Sequence, residues 1–558
     1  MLDLIIRNGL VVDGTGCAGV PADVAVKDSR IVAVGTIDGA SVETIDASGA
    51  VVCPGFIDPH THYDAQISWD RLLASSAEHG VTTVLMGNCG VGVAPCRMAD
   101  RELLIQDLVN VEGMSTEVLT TGIDWAWESF PQYLDAASTK GSGINLAFLV
   151  PLAPLRTWVL GAQANDRAAG ARETQAITRL LREAMDAGAF GFSTTAIPGH
   201  IGHNGKPLAA RLASREELQA YCGVLKSIDR GIIEMALTKR HGRFADDEFE
   251  FLEFLVNASG RNVSWLSMHN LADDAHNLQR VLERVAPLMR RGAKPQILSR
   301  PLIAEMSLKR PFHFGEISAA KGLFDQGTER QMEIYADPEF RSAFRAELKQ
   351  GRKFSNQPPT VGVLQVGNAK LRPLVGRSMS DIATERGSDP LDCMFDIAVE
   401  DKLETIFFLP RANTDQARIA EALRDSEHNL LGLSDAGAHV DMLCEAGYPT
   451  YLLGHWVREQ KALTLEHAVK RLTSEPADYF GIKGRGRLTA GNAADIVVFD
   501  PRTVGSPTRP TLVHDLPAGG GRMVAKAHGV RCVVVNGTTL YRDGQHTGAY
   551  PGQVLRSV

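Results

Sequence analysis

V-V-C-P-G-F-I-D-P-H-T-H-Y-D, residues 51–64, is the stretch around which the rest of the chain is ordered. Val51, Val52, Phe56 and Ile57 form a short apolar run interrupted by Pro54-Gly55, the pattern of a buried strand with a bend in it. His60 and His62 follow, two residues apart. Side chains alternate along a strand, so residues i and i+2 share a face and both imidazoles can reach one ion. Taken alone, H-x-H also describes a hydrogen-bonded surface pair. The metal reading needs support from elsewhere in the chain.

That support is a resemblance. P-G-F-I-D-P-H-T-H is similar to the first-strand signature of the amidohydrolase superfamily, metal-dependent hydrolases built on a (β/α)8 barrel. Residues 473–500, T-S-E-P-A-D-Y-F-G-I-K-G-R-G-R-L-T-A-G-N-A-A-D-I-V-V-F-D, resemble the C-terminal pattern of the same superfamily. The likeness covers nearly the whole chain. It implies an α/β fold: a TIM-type barrel with a small discontinuous β-sandwich domain formed by both termini.

Composition agrees with such a protein. The 558 residues exceed one ordinary domain and fit a barrel of about 250–400 residues with a smaller companion. Hydrophobic residues make up 44% and charged residues 22%, a globular balance that can bury a large core. A net charge of −8 without a basic run gives nucleic acid no support as a partner. No apolar stretch approaches the ~18 residues of a membrane span, and M-L-D-L-I-I-R-N-G at the start reads as a strand entering a turn rather than a leader. With neither, the expected compartment is the cytoplasm, and the eight cysteines, without C-x-x-C spacing, read as reduced thiols.

Along the chain, Leu4-Ile5-Ile6, Val11-Val12, Val24-Ala25-Val26 and Ile31-Val32-Ala33-Val34 alternate with Asn8-Gly9, Asp13-Gly14 and Asp28-Ser29, predicting hairpins of a small β unit. Ala494 to Asp500 and Val530 to Gly537 predict its other half. Residues 1–53 and about 485–558 are therefore assigned to one domain and 54–484 to the barrel. Barrel strands are expected to end at His62, Cys89, about Pro151, Thr194, Thr238, His269, about Arg300 and Asp435. Helices such as Glu173 to Ala187 and Leu278 to Met289 fall between them. Residues 308–368 break the alternation, with Phe312-His313-Phe314, the helix-like Pro338 to Lys349, and Gln357-Pro358-Pro359. They are read as an insertion at the strand ends, either a lid or a packing appendage.

The candidate chemistry lies at those strand ends. Cys89, in G-N-C-G, closes the second apolar strand; a thiolate there binds zinc at about 2.3 Å or bridges two ions. A core cysteine would fit the same place. G-N-C-G one βα unit after H-T-H resembles the N-acyl-D-amino-acid deacylases, in which this cysteine is a metal ligand. In L-L-G-L-S-D-A-G-A-H, residues 430–439, Asp435 resembles the eighth-strand aspartate of the superfamily. That residue binds metal and takes the proton of the attacking water. His439 either lines the same mouth or ends a helix. His200 and His203 lie in the Gly-rich loop 198–205 after the fourth strand, placed to touch substrate or an oxyanion, or simply as loop histidines.

There are also departures from the group. Its members carry histidines at the ends of strands five and six; here Ala236 holds the first place and Met268 the second, with His269 following. A one-residue shift turns a side chain to the opposite face. Either His269 reaches the metal through a bulge, or the second metal position is degraded. The Lys and Arg with which family members hold a substrate carboxylate are missing as well. Asn270 takes the first place, and residues 436–451 contain no Arg. Either the substrate is neutral, or its carboxylate is read by Arg300, Lys309 or Lys239.

The resemblance implies a metal-dependent hydrolase that cleaves the C–N bond of a small-molecule amide by attack of a metal-bound hydroxide, with Asp435 as general base. His60, His62, Cys89 and Asp435 would hold Zn2+, one or two ions per chain with one favoured, and His269 is a further candidate ligand. His200, His203, Asn270, Arg300 and His439 are the candidate substrate contacts. Homo-oligomerisation is a family expectation only. A cyclic amide, a lactone or another non-amino-acid substrate is the first alternative, and a non-catalytic scaffold is the second.

Overall fold

The computed structural model describes the chain except residues 240–242, 272, 273, 275, 310, 312, 313, 315, 316, 325, 351–357, 508 and 558. Phe312, His313 and Gln357, singled out above, thus lie outside the described residues. Two compact units are present: residues 1–269, 276–300 and 417–558 form one, and residues 270–275 and 301–416 form the other.

In the first unit, eight parallel strands follow one another in chain order. They are β1 (Phe56–Asp58), β2 (Val81–Met86), β3 (Asn145–Phe148, continued by Val150–Pro151), β4 (Gly191–Thr195), β5 (Ile232–Ala236), β6 (Val263–Leu266), β7 (Ala293–Ile297) and β8 (Leu430–Leu431). Each pairs with the next. The ring closes where Thr61 bridges Ala436 in parallel and the His62 N–H donates to the Ala436 carbonyl at 2.7 Å. Strands covered on both faces read as unbroken apolar runs rather than alternations, and β2, β4 and β5 are buried at every position. This is the expected barrel.

The two ends of the chain share one nine-stranded sheet. Val51–Pro54 pairs antiparallel with Ile496–Phe499 and in parallel with Leu2–Val11. The stretch read above as one bent strand is therefore two: Val51–Pro54 belongs to the terminal sheet, and Phe56–Asp58 opens the barrel. Gly55 joins them because a Cβ there would lie 2.1 Å from Thr82 Oγ1. Asp28-Ser29 turns the chain as expected, with φ of 51° and 63°, the signs a two-residue I′ turn needs. Asn8-Gly9 does not. One strand, Leu2–Val11, runs through it, and the register with Val20–Lys27 slips between Ile6 and Gly9. Asn8, at φ 61°, absorbs the extra residue as a bulge.

The second unit has its own core. Leu302–Ser307, Ile406–Ala412 and Gly362–Gln365 form an antiparallel sheet with Ile406–Ala412 in the middle. Tyr335, Phe340, Phe344 and Phe395, from three helices, pack with ring centroids 5.2 to 5.9 Å apart. The insertion expected over 308–368 is thus part of a larger unit. Its central strand arrives only after two further helices, Met379–Arg386 and Pro390–Glu400.

Candidate metal centre

His60 and His62 stand just beyond β1, and the loop after β8 brings Asp435 across to them. That loop passes close: Gly437 has φ 98°, and a Cβ on it would sit 2.6 Å from the His62 carbonyl oxygen. Asp435 Oδ1 lies 3.4 Å from His60 Nε2 and 3.2 Å from His62 Nε2. Cys89 Sγ, beyond the end of β2, lies 3.5 Å from His60 Nε2. Both imidazoles are buried, whereas the Asp435 side chain is 37% exposed, so the group meets solvent on the side of its carboxylate.

Two glutamates that the sequence reading did not name complete the surroundings. Helix α1 (Arg101–Glu112) ends on Glu112, whose Oε1 lies 3.4 Å from His62 Nδ1. Glu234, on β5, shares a strand face with Ala236 two residues later. Its Oε1 lies 4.0 Å from His60 Nδ1, and its Oε2 accepts the Cys89 N–H at 2.7 Å. That bond steadies a cysteine held at φ 57°. Glu234 carried a signal, a carboxylate inside the apolar run G-I-I-E-M-A; Glu112 carried none, since N-V-E-G is an ordinary helix end.

The donor atoms form two overlapping groups, His60 with His62 and Cys89, and His62 with Glu112 and Asp435, each within 4.8 Å. Burial pushes Asp58, Asp64 and Glu234 up to about 7, and burial, then the charge of Asp435, raises Glu112 well above the usual carboxylate range. Burial and then Glu234 raise the Cys89 thiol. Burial acts on Asp435 in the same sense, but His60 and His62 together hold it well below the usual carboxylate range. His60 Nδ1, both ring nitrogens of His62, Glu112 Oε1 and Glu234 Oε1 are buried with no hydrogen-bond partner among the described residues. Unpartnered buried polar atoms are costly. Imidazole, thiolate and carboxylate are the donors a zinc-like divalent ion takes. The residues present fit such an ion.

The other candidates separate clearly. His200, after β4, has Nδ1 2.9 Å from Thr195 Oγ1; burial, then the neighbouring His62, pushes its pKa down to about 4. His203 is drawn elsewhere, its N–H donating to Asp107 Oδ1 at 3.1 Å and its Nε2 lying 2.8 Å from Asn204 Nδ2. The His439 N–H donates to the Glu112 carbonyl at 2.6 Å, tying the end of α1 to the loop after β8. His269, three residues past the end of β6, is buried but joins neither group of donor atoms. Asn270 falls in the second unit, where its N–H donates to Asn413 Oδ1 at 3.0 Å.

The expected carboxylate readers are engaged with protein partners. Arg300 pairs with Glu445 at 2.9 Å, donates to Ser506 Oγ at 3.0 Å and lies over the Tyr451 ring. Lys239 pairs with Asp247 and Lys309 with Glu404.

Known proteins resemble this chain over nearly its whole length. The sequence model described as "Amidohydrolase family" matches residues 43–541. An uncharacterised protein of Mycobacterium tuberculosis is 30% identical over 98% of this chain and 93% of its own. The D-aminoacylase of Alcaligenes xylosoxydans xylosoxydans is 29% identical over 99% and 97%. Among solved structures, a D-aminoacylase whose binuclear metal centre shows one-metal activation and second-metal attenuation superposes with TM-score 0.68 at 25% identity, covering 100% of both chains. The N-acyl-D-glutamate deacylase of Bordetella bronchiseptica, complexed with zinc and a phosphonate mimic of the tetrahedral intermediate, gives 0.65 at 26%, covering 100% of this chain and 99% of its own.

Proposed function

This chain belongs to the amidohydrolase family, and we propose that it is a zinc-dependent deacylase that hydrolyses the C–N bond of an N-acylated amino acid or a similar small amide. One observation carries the reading. A single oxygen of Asp435 lies within 3.4 Å of both imidazole Nε2 atoms, beside Cys89, on the solvent side of an otherwise buried cluster.

His60 and His62 through Nε2, Asp435 through Oδ1 and Cys89 through Sγ would hold one ion. When bound, it supplies Lewis-acid polarisation and makes a nucleophile available near neutral pH. Asp435 Oδ2 then takes the proton of the attacking water and returns it to the leaving nitrogen. His200, neutral and held through Nδ1, offers Nε2 to the substrate. A single ion is favoured because Ala236 and Met268 supply neither the imidazole nor the carboxylate that a second zinc would take. The eight free thiols suit a reducing compartment, the cytoplasm.

A second reading is favoured by Arg300: with its guanidinium engaged by Glu445, a free substrate carboxylate loses one candidate partner, and a cyclic amide or lactone fits better. The experiment is elemental analysis of protein purified without chelator, beside His60→Ala, with hydrolysis assayed on N-acyl-D-amino acids, their L-enantiomers, hydantoins and lactones. About one zinc per chain, lost with activity in the variant, is expected. Preference for the cyclic substrates would favour the second reading. Absence of both zinc and hydrolysis would leave only a scaffold.

A further inference from the structure

Resting on the one-ion centre proposed above, we infer that Glu112 and Glu234 are positioning residues. Each takes the Nδ1–H of one metal-binding imidazole, Glu112 that of His62 and Glu234 that of His60. Both rings bring the same nitrogen close to Asp435: Nε2 of each lies near Oδ1, at 3.2 and 3.4 Å. The other ring nitrogen is Nδ1. Opposite His62 Nδ1 stands Glu112 Oε1 at 3.4 Å, and opposite His60 Nδ1 stands Glu234 Oε1 at 4.0 Å. All four atoms are buried, and none has a hydrogen-bond partner among the described residues.

A neutral imidazole whose Nε2 lone pair goes to an ion must carry its proton on Nδ1, where it becomes a donor. Metal-binding histidines as a rule give that N–H to a carboxylate or carbonyl, which fixes the tautomer and ring plane and makes the ring a better ligand. Here two donors without acceptors face two acceptors without donors. Closing these gaps of 3.4 and 4.0 Å to hydrogen-bond distance on loading would satisfy all four at once.

The backbone supports the same roles. Glu112 is anchored at its own carbonyl by the His439 N–H, and Gly113 beside it leaves room for that ring: a Cβ there would lie 2.9 Å from His439 Nδ1. Glu234 also accepts the Cys89 N–H, so one carboxylate orients two candidate ligands. Glu112 is not itself a ligand in this arrangement. It lies beside Nδ1 of His62, and a neutral ring whose Nε2 lone pair goes to an ion offers a proton there, not a second lone pair.

The test is zinc affinity of the full chain, measured by competition with a chromophoric chelator, for the wild type, Glu112→Gln, Glu112→Ala and Glu234→Gln. Each variant should still take one zinc at saturation but bind it about 10- to 100-fold more weakly, with Glu112→Ala the weakest. Histidine-labelled 15N NMR of the zinc-loaded wild type should show two rings metallated at Nε2 and protonated at Nδ1. One Nδ1 signal should move in Glu112→Gln and the other in Glu234→Gln, a change that mere loss of packing would not divide between them.

Zinc-loaded variants with unchanged affinity and unmoved Nδ1 signals would overturn the inference and leave the metal centre standing. Two zinc ions in the wild type, one of them lost in Glu112→Gln, would make Glu112 a ligand and overturn it as well. No zinc in the wild type would remove the centre itself, before any variant is compared.

Discussion

On the β1 and β8 side of the barrel mouth, His60, His62 and Asp435 converge within 3.4 Å. On the β5 and β6 side, Ala236 and Met268 fill the strand ends, and Glu234 reaches in from two residues earlier. The first side offers atoms to an ion. The second offers acceptors to the groups that hold it. On the assignment proposed above, one flank of the barrel supplies the ligands and the other supplies their orientation.

The most severe break of that contrast is on the ligand side. Asp435→Asn is expected to lower amide hydrolysis by about 10²- to 10⁴-fold while the thermal melt stays in place, because it removes the proposed general base. Steady-state kinetics beside a melt measure it, and retained turnover would move the general base to another residue.

Next comes Arg300→Met, which asks whether a cation serves either flank. It should cost about 3–5 kcal/mol by urea titration, since Glu445 is left buried without its partner, and leave KM unchanged. A raised KM with normal stability would instead make Arg300 a reader of substrate charge.

His79, just before β2, separates the scaffold from the mouth. Its Nε2 lies 2.7 Å from the Ala525 carbonyl, to which it donates, and its Nδ1 lies 2.6 Å from Thr450 Oγ1; burial pushes its pKa down to about 4. The unfolded chain protonates this ring first as pH falls through about 6.5. The stabilisation is therefore complete above that pH and is lost progressively towards pH 4, about 3 kcal/mol in all. Urea midpoints of wild type and His79→Asn should converge as pH drops from 7 to 4.5. Curves that stay parallel would rule out His79 as the source.

The smallest effect is expected on the emptied flank itself. Ala236→His overfills a fully buried position, costing about 1–3 kcal/mol, and should leave metal content at one ion per chain. A second zinc would show that β5 lies one substitution from ligating and would erase the contrast.

The convergence of His60, His62, Cys89 and Asp435 was legible because strand alternation and strand ends are local properties: H-x-H, G-N-C-G and S-D-A-G announce both residue type and direction. Glu112 was not, because it reaches His62 only through the packing of α1, and nothing in N-V-E-G distinguishes it from any helix end. Glu234 was visible in principle. A carboxylate inside a parallel strand buried at every position is expensive and so needs a partner, which the sequence of that strand does not name. Long-range partners were equally hidden. Arg300 looked available until the chain folded Glu445 against it, and Asn8-Gly9 looked like a turn until a neighbouring strand made it a bulge. The unit at 301–416 was seen only in part because its middle strand is its last.

The pairing of Val51–Pro54 with Ile496–Phe499 also bears on how the protein is made. The fifth strand of the terminal sheet leaves the ribosome long before its antiparallel neighbour exists. At about 5–20 residues per second the interval is roughly 20–90 s. Thr61 waits almost as long for Ala436 to close the ring. For most of translation, then, the nascent chain carries an open β edge and an unclosed barrel, the kind of surface that recruits holding chaperones and pairs with its neighbours on a polysome.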